Sequence, residues 1–160
     1  MTNPFDEPES VQKGYLFEQW VVGQFPTSRF LLQEWRSDKH LGEIYPVSSR
    51  NPDLVFRMFA DKTPKTFFAI ECKWRAKIYD EGIDWASIGK RIVYNKFGTK
   101  LKMPIHVAFG VGGSPDQPEK CYLIPFEKIR YYDFIEQRLL DKYPWPNKLA
   151  DLKAYISHWH

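Results

Sequence analysis

Apolar and polar positions along the chain follow two different periods, which predict helices and strands. Apolar residues recur at helical spacing over residues 11–25, directly after Ser10, and predict a first helix with that serine as its N-cap. Runs rich in β-branched and aromatic residues predict strands at 29–36, 53–59 and 67–74. The last two are joined by a turn-like segment at 61–64, so we expect a hairpin.

The second half of the sequence continues with the same two periods. The predicted elements, in order, are a helix at 84–101 capped by Asp84, a strand at 104–111, a loop at 112–118, a strand at 121–124, a largely helical stretch at 125–142 and a last helix at 147–157. The order α-β-β-β-α-β, followed by β-α-α, indicates an α/β protein with a mixed sheet flanked by helices.

Size and composition restrict the class of protein. The chain has 160 residues, of which 43% are hydrophobic, which argues against intrinsic disorder and provides for one core. We therefore expect a single domain over residues 1–160, with its core at about 10–125 and a C-terminal helical extension at about 126–160. Two cysteines are too few for a disulfide scaffold, and no apolar run approaches the length of a membrane span. Because the first ten residues are acidic and do not resemble a signal peptide, a cytoplasmic protein without a membrane partner is expected.

The net charge of +3 is distributed unevenly along the chain. Residues 73–102 carry eight basic and three acidic side chains, whereas residues 1–72 carry eight and ten, and residues 103–160 carry seven of each. A local excess of this kind is typical of a site for a polyanion such as nucleic acid. The alternative is a lysine-rich helix face that is simply solvated.

Charged residues interrupt the otherwise apolar strand predicted at 67–74. Because side chains alternate along a strand, Glu71 and Lys73 are expected on one face of the sheet. Buried charges are costly unless they are paired or used. A hairpin turning at residues 62–63 pairs positions whose numbers sum to about 125, which brings Asp53 beside Glu71.

Two carboxylates beside a lysine suit a hard divalent cation such as Mg²⁺, which prefers oxygen ligands and completes its shell with water and phosphate. One ion, or a pair, can activate a water molecule and neutralise charge at a phosphorus centre. A nearby lysine can position or deprotonate that water and offset charge in the transition state. The alternative for Asp53, Glu71 and Lys73 is a structural buried ion pair.

Three sequence features occur together in this order. They are Glu18 on the leading helix, Asn51-Pro52-Asp53-Leu54-Val55 at the start of one strand, and Ile70-Glu71-Cys72-Lys73 within the next. The combination resembles the PD-(D/E)xK nuclease superfamily, and the resemblance covers roughly residues 10–125. It implies a restriction-endonuclease-like αβββαβ core, a mixed central sheet flanked by helices, here followed by C-terminal helices.

The resemblance also implies roles for individual residues. Asp53 and Glu71 would bind Mg²⁺, with Mn²⁺ as a substitute, together with the backbone carbonyl of Cys72. Lys73 would serve the attacking water, and Glu18 would hold a metal-bound water or a second ion. The alternative for Glu18 is an ion pair with a basic neighbour on its helix.

The helix predicted at 84–101 carries a further candidate set. Some members of the superfamily have a glutamine and a tyrosine four residues apart on this helix, whereas this chain has Lys90 and Tyr94, so the glutamine is missing. Lys90, Arg91 and Tyr94 are expected to contact phosphates, which would position a nucleic acid without reading its sequence. A solvated outer helix face is the alternative.

Together these features predict a metal-dependent nuclease that hydrolyses phosphodiester bonds in nucleic acid, DNA rather than RNA. Two alternatives stay open, namely a catalytically inactive nucleic-acid-binding module and an interaction subunit of the same fold. Because one active site cuts one strand, cutting both strands of a duplex would require a homodimer.

Overall fold

A mixed sheet with helices on both of its faces organises the protein in the computed structural model, which describes residues 9–36, 51–59 and 66–159. In chain order the elements are α1 (Glu9–Gly23), β1 (Phe30–Trp35), β2 (Leu54–Met58), β3 (Thr66–Arg75), β4 (Gly82–Asp84), α2 (Ile88–Leu101), β5 (Ile105–Ser114), β6 (Gln117–Pro125), a 3₁₀ turn (Phe126–Lys128), β7 (Phe134–Glu136), α3 (Gln137–Leu140) and α4 (Leu149–His158). None of the helices in these ranges has the length and apolar character needed to cross a membrane.

The main sheet has the strand order β1-β2-β3-β5-β6. Its first three strands are antiparallel, β3 and β5 are parallel, and β5 and β6 form an antiparallel pair. A parallel pair requires a crossover connection, which here contains β4 and α2. The α1-β1-β2-β3-α2-β5 order therefore confirms the predicted αβββαβ core with a mixed sheet.

The register of the β2–β3 ladder matches the predicted hairpin closely. Leu54 pairs with Ile70 and Val55 with Ala69, so the numbers of partner residues sum to 124. Continued by one residue, this register brings Asp53 level with Glu71. The predicted turn at 61–64 itself lies outside the described residues.

Two hydrophobic clusters lie on opposite faces of the main sheet. One packs α1 and α4 against the sheet through Phe17, Val21 and Ile156, and the other contains Tyr94 of α2 with Phe109 of β5. Residues of β3 alternate between the clusters as predicted: Ile70 faces α1, with Cys72 and Trp74 packed on the same cluster, whereas Ala69 faces α2. Glu71 and Lys73, which share the side of Ala69, are therefore on the α2 face.

The predicted starts of the first two helices are wrong. Ser10 lies inside α1 and does not precede it. The second helix begins at Ile88, with Ser87 as its N-cap, because the Ser87 side chain accepts a hydrogen bond from the backbone N–H of Lys90 at 3.4 Å. Asp84 instead ends β4 and pairs with Phe134 of β7.

The stretch from 112 to 142 also differs from prediction. Residues 112–118 are not a loop, because β5 and β6 continue their ladder to the pair Ser114 and Gln117. Residues 125–142 are mostly not helical. β7 pairs with β4, and Ile135 of β7 is fully buried in the hydrophobic cluster on the α2 face. Beyond residue 125, Ile135 and Ile156 each belong to one of the two hydrophobic clusters.

Candidate active site

Two carboxylates are buried side by side where β2 begins. Asp53 directly precedes β2 and has 1% of its surface exposed, and Glu71 in β3 has 2% exposed. The Asp53 Oδ2 atom accepts a hydrogen bond of 2.9 Å from the backbone N–H of Cys72. This bond fixes the Asp53 side chain against β3, so both carboxylates are held by the hairpin register predicted from the sequence.

Lys73 supplies the positive charge of the site. Its Nζ lies 2.8 Å from Glu71 Oε1, and its side chain is 14% exposed. The two residues are separated by one position on the same strand and therefore project from the same face. The ammonium partly neutralises the Glu71 carboxylate and keeps a small solvent-accessible surface.

Tyr94 approaches the same carboxylates from α2. It is buried, with its ring stacked on Trp85 and edge-on to Phe126. Burial, followed by the negative charges of Glu71 and Asp53 and by a hydrogen bond to Glu71, raises the pKa of the Tyr94 hydroxyl far above its usual value. The hydroxyl therefore stays protonated beside these two carboxylates.

Glu18 reaches the site from α1. It is 6% exposed, and its Oε2 accepts a hydrogen bond of 3.2 Å from the indole N–H of Trp35 in β1. Tyr15, on the same helix, stacks on Trp35 with ring centroids 5.4 Å apart. The alternative for Glu18, an ion pair with a basic neighbour, is not tested by this contact.

One open cavity of about 380 Å³ connects these groups. The cavity is lined by Cys72 and by the four predicted catalytic residues, Glu18, Asp53, Glu71 and Lys73. The structure thus brings together, from one helix and two strands, residues that are up to 55 positions apart in the sequence. Lys13 and Gly14 of α1 also form part of its wall.

The chemistry of the donors fits Mg²⁺ or Mn²⁺, because both ions prefer oxygen ligands. Within the described ranges, no group of three or more His, Cys, Asp or Glu side chains is close enough together to hold a metal ion. Mg²⁺ is commonly bound by one or two carboxylates and keeps several waters, so Asp53, Glu71 and the Cys72 carbonyl suffice as protein ligands. Glu18 lines the same cavity without completing a set of three acids.

The predicted phosphate-binding residues on α2 differ in their surroundings. Lys90 is exposed and lies one helical turn before Tyr94, on the same helix face. Arg91 is half-buried, and its guanidinium donates to the backbone carbonyls of Ala86 at 3.3 Å and Arg130 at 2.9 Å. Arg91 therefore ties the start of α2 to the turn before β7, and the phosphate contacts of all three residues stay predictions.

Two contacts of the site could not be expected from the motif. Trp35 holds Glu18 from β1, and Tyr94 donates to Glu71 in addition to any contact with nucleic acid. The sequence signal for Tyr94 is its position four residues after Lys90 on a helix that follows the strand of Glu71. No comparable signal marks Trp35, since its contact depends on how α1 packs across β1.

Comparisons with known proteins address the fold. No protein-family model matches this chain, and no curated protein matches its sequence. Among solved structures, the chain is similar to Hjc, a Holliday junction resolvase from the archaeal hyperthermophile Archaeoglobus fulgidus, with a TM-score of 0.54. The fold is restriction-endonuclease-like. The similarity covers 88% of this chain and 98% of Hjc at 12% sequence identity, a level at which it concerns the fold alone.

The restriction-endonuclease-like fold accounts for the position of the cavity. The β2–β3 hairpin provides Asp53, Glu71 and Lys73, and Glu18 of α1 lines the same cavity. The resemblance to the PD-(D/E)xK superfamily is thus confirmed for the fold, and the roles of these residues are treated below as a proposal.

Proposed function

We propose that this protein is a metal-dependent nuclease that hydrolyses phosphodiester bonds in DNA. The observation that carries the proposal is the Lys73–Glu71 contact of 2.8 Å beside buried Asp53, in a cavity that is open to a ligand. Buried carboxylates are expensive to retain unless they serve a purpose. A hard cation and a phosphate group are the ligands that this set of oxygen donors and one ammonium fits best.

Each residue has a defined part in the proposed reaction. Asp53, Glu71 and the carbonyl of Cys72 would hold Mg²⁺ or Mn²⁺, and the ion would supply charge neutralisation at the phosphate and a more acidic water. Lys73 positions the attacking water and stabilises the negative charge that develops on the phosphate oxygens. The backbone N–H of Cys72 orients Asp53, and the Tyr94 hydroxyl orients Glu71. Glu18 would hold a second water or ion.

DNA as the substrate is supported by charge and by fold. The excess of basic residues at 73–102 includes Lys90, which is exposed one turn from Tyr94. The similar protein Hjc is a Holliday junction resolvase, so a protein of this fold acts on Holliday junctions. Cleavage of both strands of a duplex by this chain would require two copies.

A cleavage screen tests the proposal. Single-stranded, duplex, branched and RNA substrates of equal length are incubated with the protein in Mg²⁺ or Mn²⁺, beside an Asp53→Asn variant. We expect metal-dependent cleavage of at least one DNA substrate by the parent and none by the variant. Cleavage by both proteins would indicate a contaminating nuclease, and cleavage by neither would contradict the proposal.

The second candidate is a non-catalytic protein of the same fold, either a nucleic-acid-binding module or an interaction subunit. One observation favours it: Lys73 Nζ lies 2.8 Å from Oε1 of buried Glu71, a contact that a structural ion pair also explains. In that case the Glu71–Lys73 pair would be structural. Binding of Mn²⁺, measured by calorimetry, separates the two, since a structural pair predicts none at millimolar concentration.

A further inference from the structure

Gly14 occupies an unusual position in α1. It lies in the interior of a helix of 15 residues, where glycine is a poor helix former. A Cβ atom added at Gly14 would meet no atom of the described chain within 4 Å, and its φ is not in the left-handed region. Neither packing among the described residues nor backbone conformation therefore requires a glycine here.

The position of Gly14 relative to the active site suggests a different requirement. Gly14 lies four residues before Glu18 and hence on the same helix face, one turn closer to the helix start. It lines the cavity that Asp53, Glu71 and Lys73 also line. At this point the wall of the cavity is bare helix backbone.

The two neighbours of Gly14 are suited to a polynucleotide. The Lys13 side chain is 42% exposed, and its ammonium lies 5.8 Å from the centre of the Trp74 ring and 2.8 Å from Oε1 of Glu9, whose side chain is 80% exposed. Tyr15 is exposed on the other side and stacks on Trp35. A cation and an exposed aromatic ring on either side of bare backbone match the phosphates and bases of a nucleic acid strand.

We propose that the sugar–phosphate backbone of the substrate strand passes α1 in direct contact with Gly14, between Lys13 and Tyr15, and that the missing side chain admits the scissile phosphate to the carboxylates. The inference rests on the proposed nuclease function and assigns Gly14 as a positioning residue. A side chain at this point would hold the strand away from Glu71 and Lys73 without disturbing the fold.

The inference predicts effects of opposite sign on stability and activity. Gly14→Ala should raise the melting temperature by about 2–4 °C, because alanine is the better helix former and no described atom is displaced. The same change should lower the single-turnover cleavage rate by about 10–100-fold, since displacing a reacting group by 1 Å costs about that much. Gly14→Gln, with a longer side chain, should lower the rate further.

Gly23 provides the matched control. It is the last residue of α1, is exposed and likewise has no described atom within 4 Å of an added Cβ, but it does not line the cavity. Gly23→Ala and Gly23→Gln should leave the cleavage rate at the parent value. The measurements are thermal melts, single-turnover cleavage of a labelled DNA in Mg²⁺, and affinity for the same DNA in Ca²⁺ without turnover.

Two results would overturn the inference. A lower melting temperature for Gly14→Ala would mean that the protein's own chain uses this space, and a cleavage rate equal to that of Gly23→Ala would mean that no substrate approaches it. If the parent protein cleaves no substrate, the nuclease proposal fails and affinity decides. Weaker DNA binding by Gly14→Gln than by Gly23→Gln then supports the contact, and equal binding contradicts it.

Discussion

Replacing Glu71 by glutamine separates a metal site from a structural ion pair. The substitution keeps the shape of the side chain and removes its negative charge. In the parent, Glu71 is 2% exposed, lies beside the equally buried Asp53 and has Lys73 Nζ at 2.8 Å. If the carboxylates are kept together for a metal, removing one charge relieves their mutual repulsion and leaves Lys73 beside Asp53.

The two interpretations predict effects of different size. A metal site predicts that the metal-free Glu71→Gln variant melts within about 4 °C of the parent or above it, because lost attraction to Lys73 and relieved repulsion from Asp53 offset each other. A structural pair predicts a loss of about 3–5 kcal/mol, which corresponds to a decrease of about 6–20 °C for a chain of this length.

Metal dependence provides the second comparison. At a free Mg²⁺ concentration ten times its Kd, binding to the folded state stabilises the parent by about 1.4 kcal/mol, or about 3–6 °C. The variant has lost one of the two carboxylate ligands and should gain much less.

The assay is a thermal melt of both proteins with EDTA and with Mg²⁺. Glu136→Gln is the matched control, because Glu136 forms an ion pair with Arg138 in which both side chains are exposed, and such pairs contribute little. A large loss for Glu71→Gln that is the same with and without Mg²⁺ would refute the metal-site interpretation.

Three further predictions follow from the surroundings of individual side chains. Lys90→Ala should lower the slope of log affinity against log salt for duplex DNA by about 0.9, and an unchanged slope would place Lys90 off the binding face. Arg91→Ala should mainly lower the melting temperature, because the Arg91 guanidinium donates to two backbone carbonyls. Tyr94→Phe should cost about 1–3 kcal/mol of unfolding free energy in urea because Glu71 loses a buried donor, and an unchanged transition midpoint would argue against that hydrogen bond. Because burial raises the pKa of the Cys121 thiol to about 12, alkylation of Cys121 at pH 8 should be about a thousandfold slower than that of an ordinary cysteine. Peptide mass spectrometry measures this rate, and a normal rate would contradict the burial of the thiol.

The hairpin that carries the site was predictable because its determinants are local. Alternation along residues 67–74 and the short separation between the strands fix which side chains face each other, so Asp53 beside Glu71 follows from the register. The same logic places Lys73 on the face of Glu71. These contacts need only one hairpin to form.

Predictions failed where distant parts of the chain decide local structure. Residues 125–142 have a composition compatible with a helix, but Ile135 pairs with Ile83, about fifty positions earlier, and this pairing draws the segment into a small sheet. The same sheet incorporates Asp84 and shifts the start of α2 to Ser87. A window of neighbouring residues contains no information about such a pairing partner.

The contacts of Glu18 and Tyr94 illustrate the same limit within the site. Both residues are candidates through the motif resemblance, but their partners depend on how each helix packs against the sheet. Trp35 in β1 and Glu71 in β3 are reached only once the sheet is assembled. A sequence motif therefore identifies the residues of a site more readily than the contacts that orient them.

Single-turnover cleavage by Lys73→Ala tests the central claim most directly, with Lys77→Ala as an exposed control from the same basic segment. The DNA is the substrate that the parent cleaves best, and its affinity for each protein is measured in parallel. If Lys73 serves the attacking water, Lys73→Ala should bind this DNA within severalfold of the parent while cleaving it about 10²–10⁴-fold more slowly, and Lys77→Ala should match the parent in rate. A Lys73→Ala variant that loses affinity but keeps the parent's cleavage rate would contradict the assignment of this cavity as a nuclease active site.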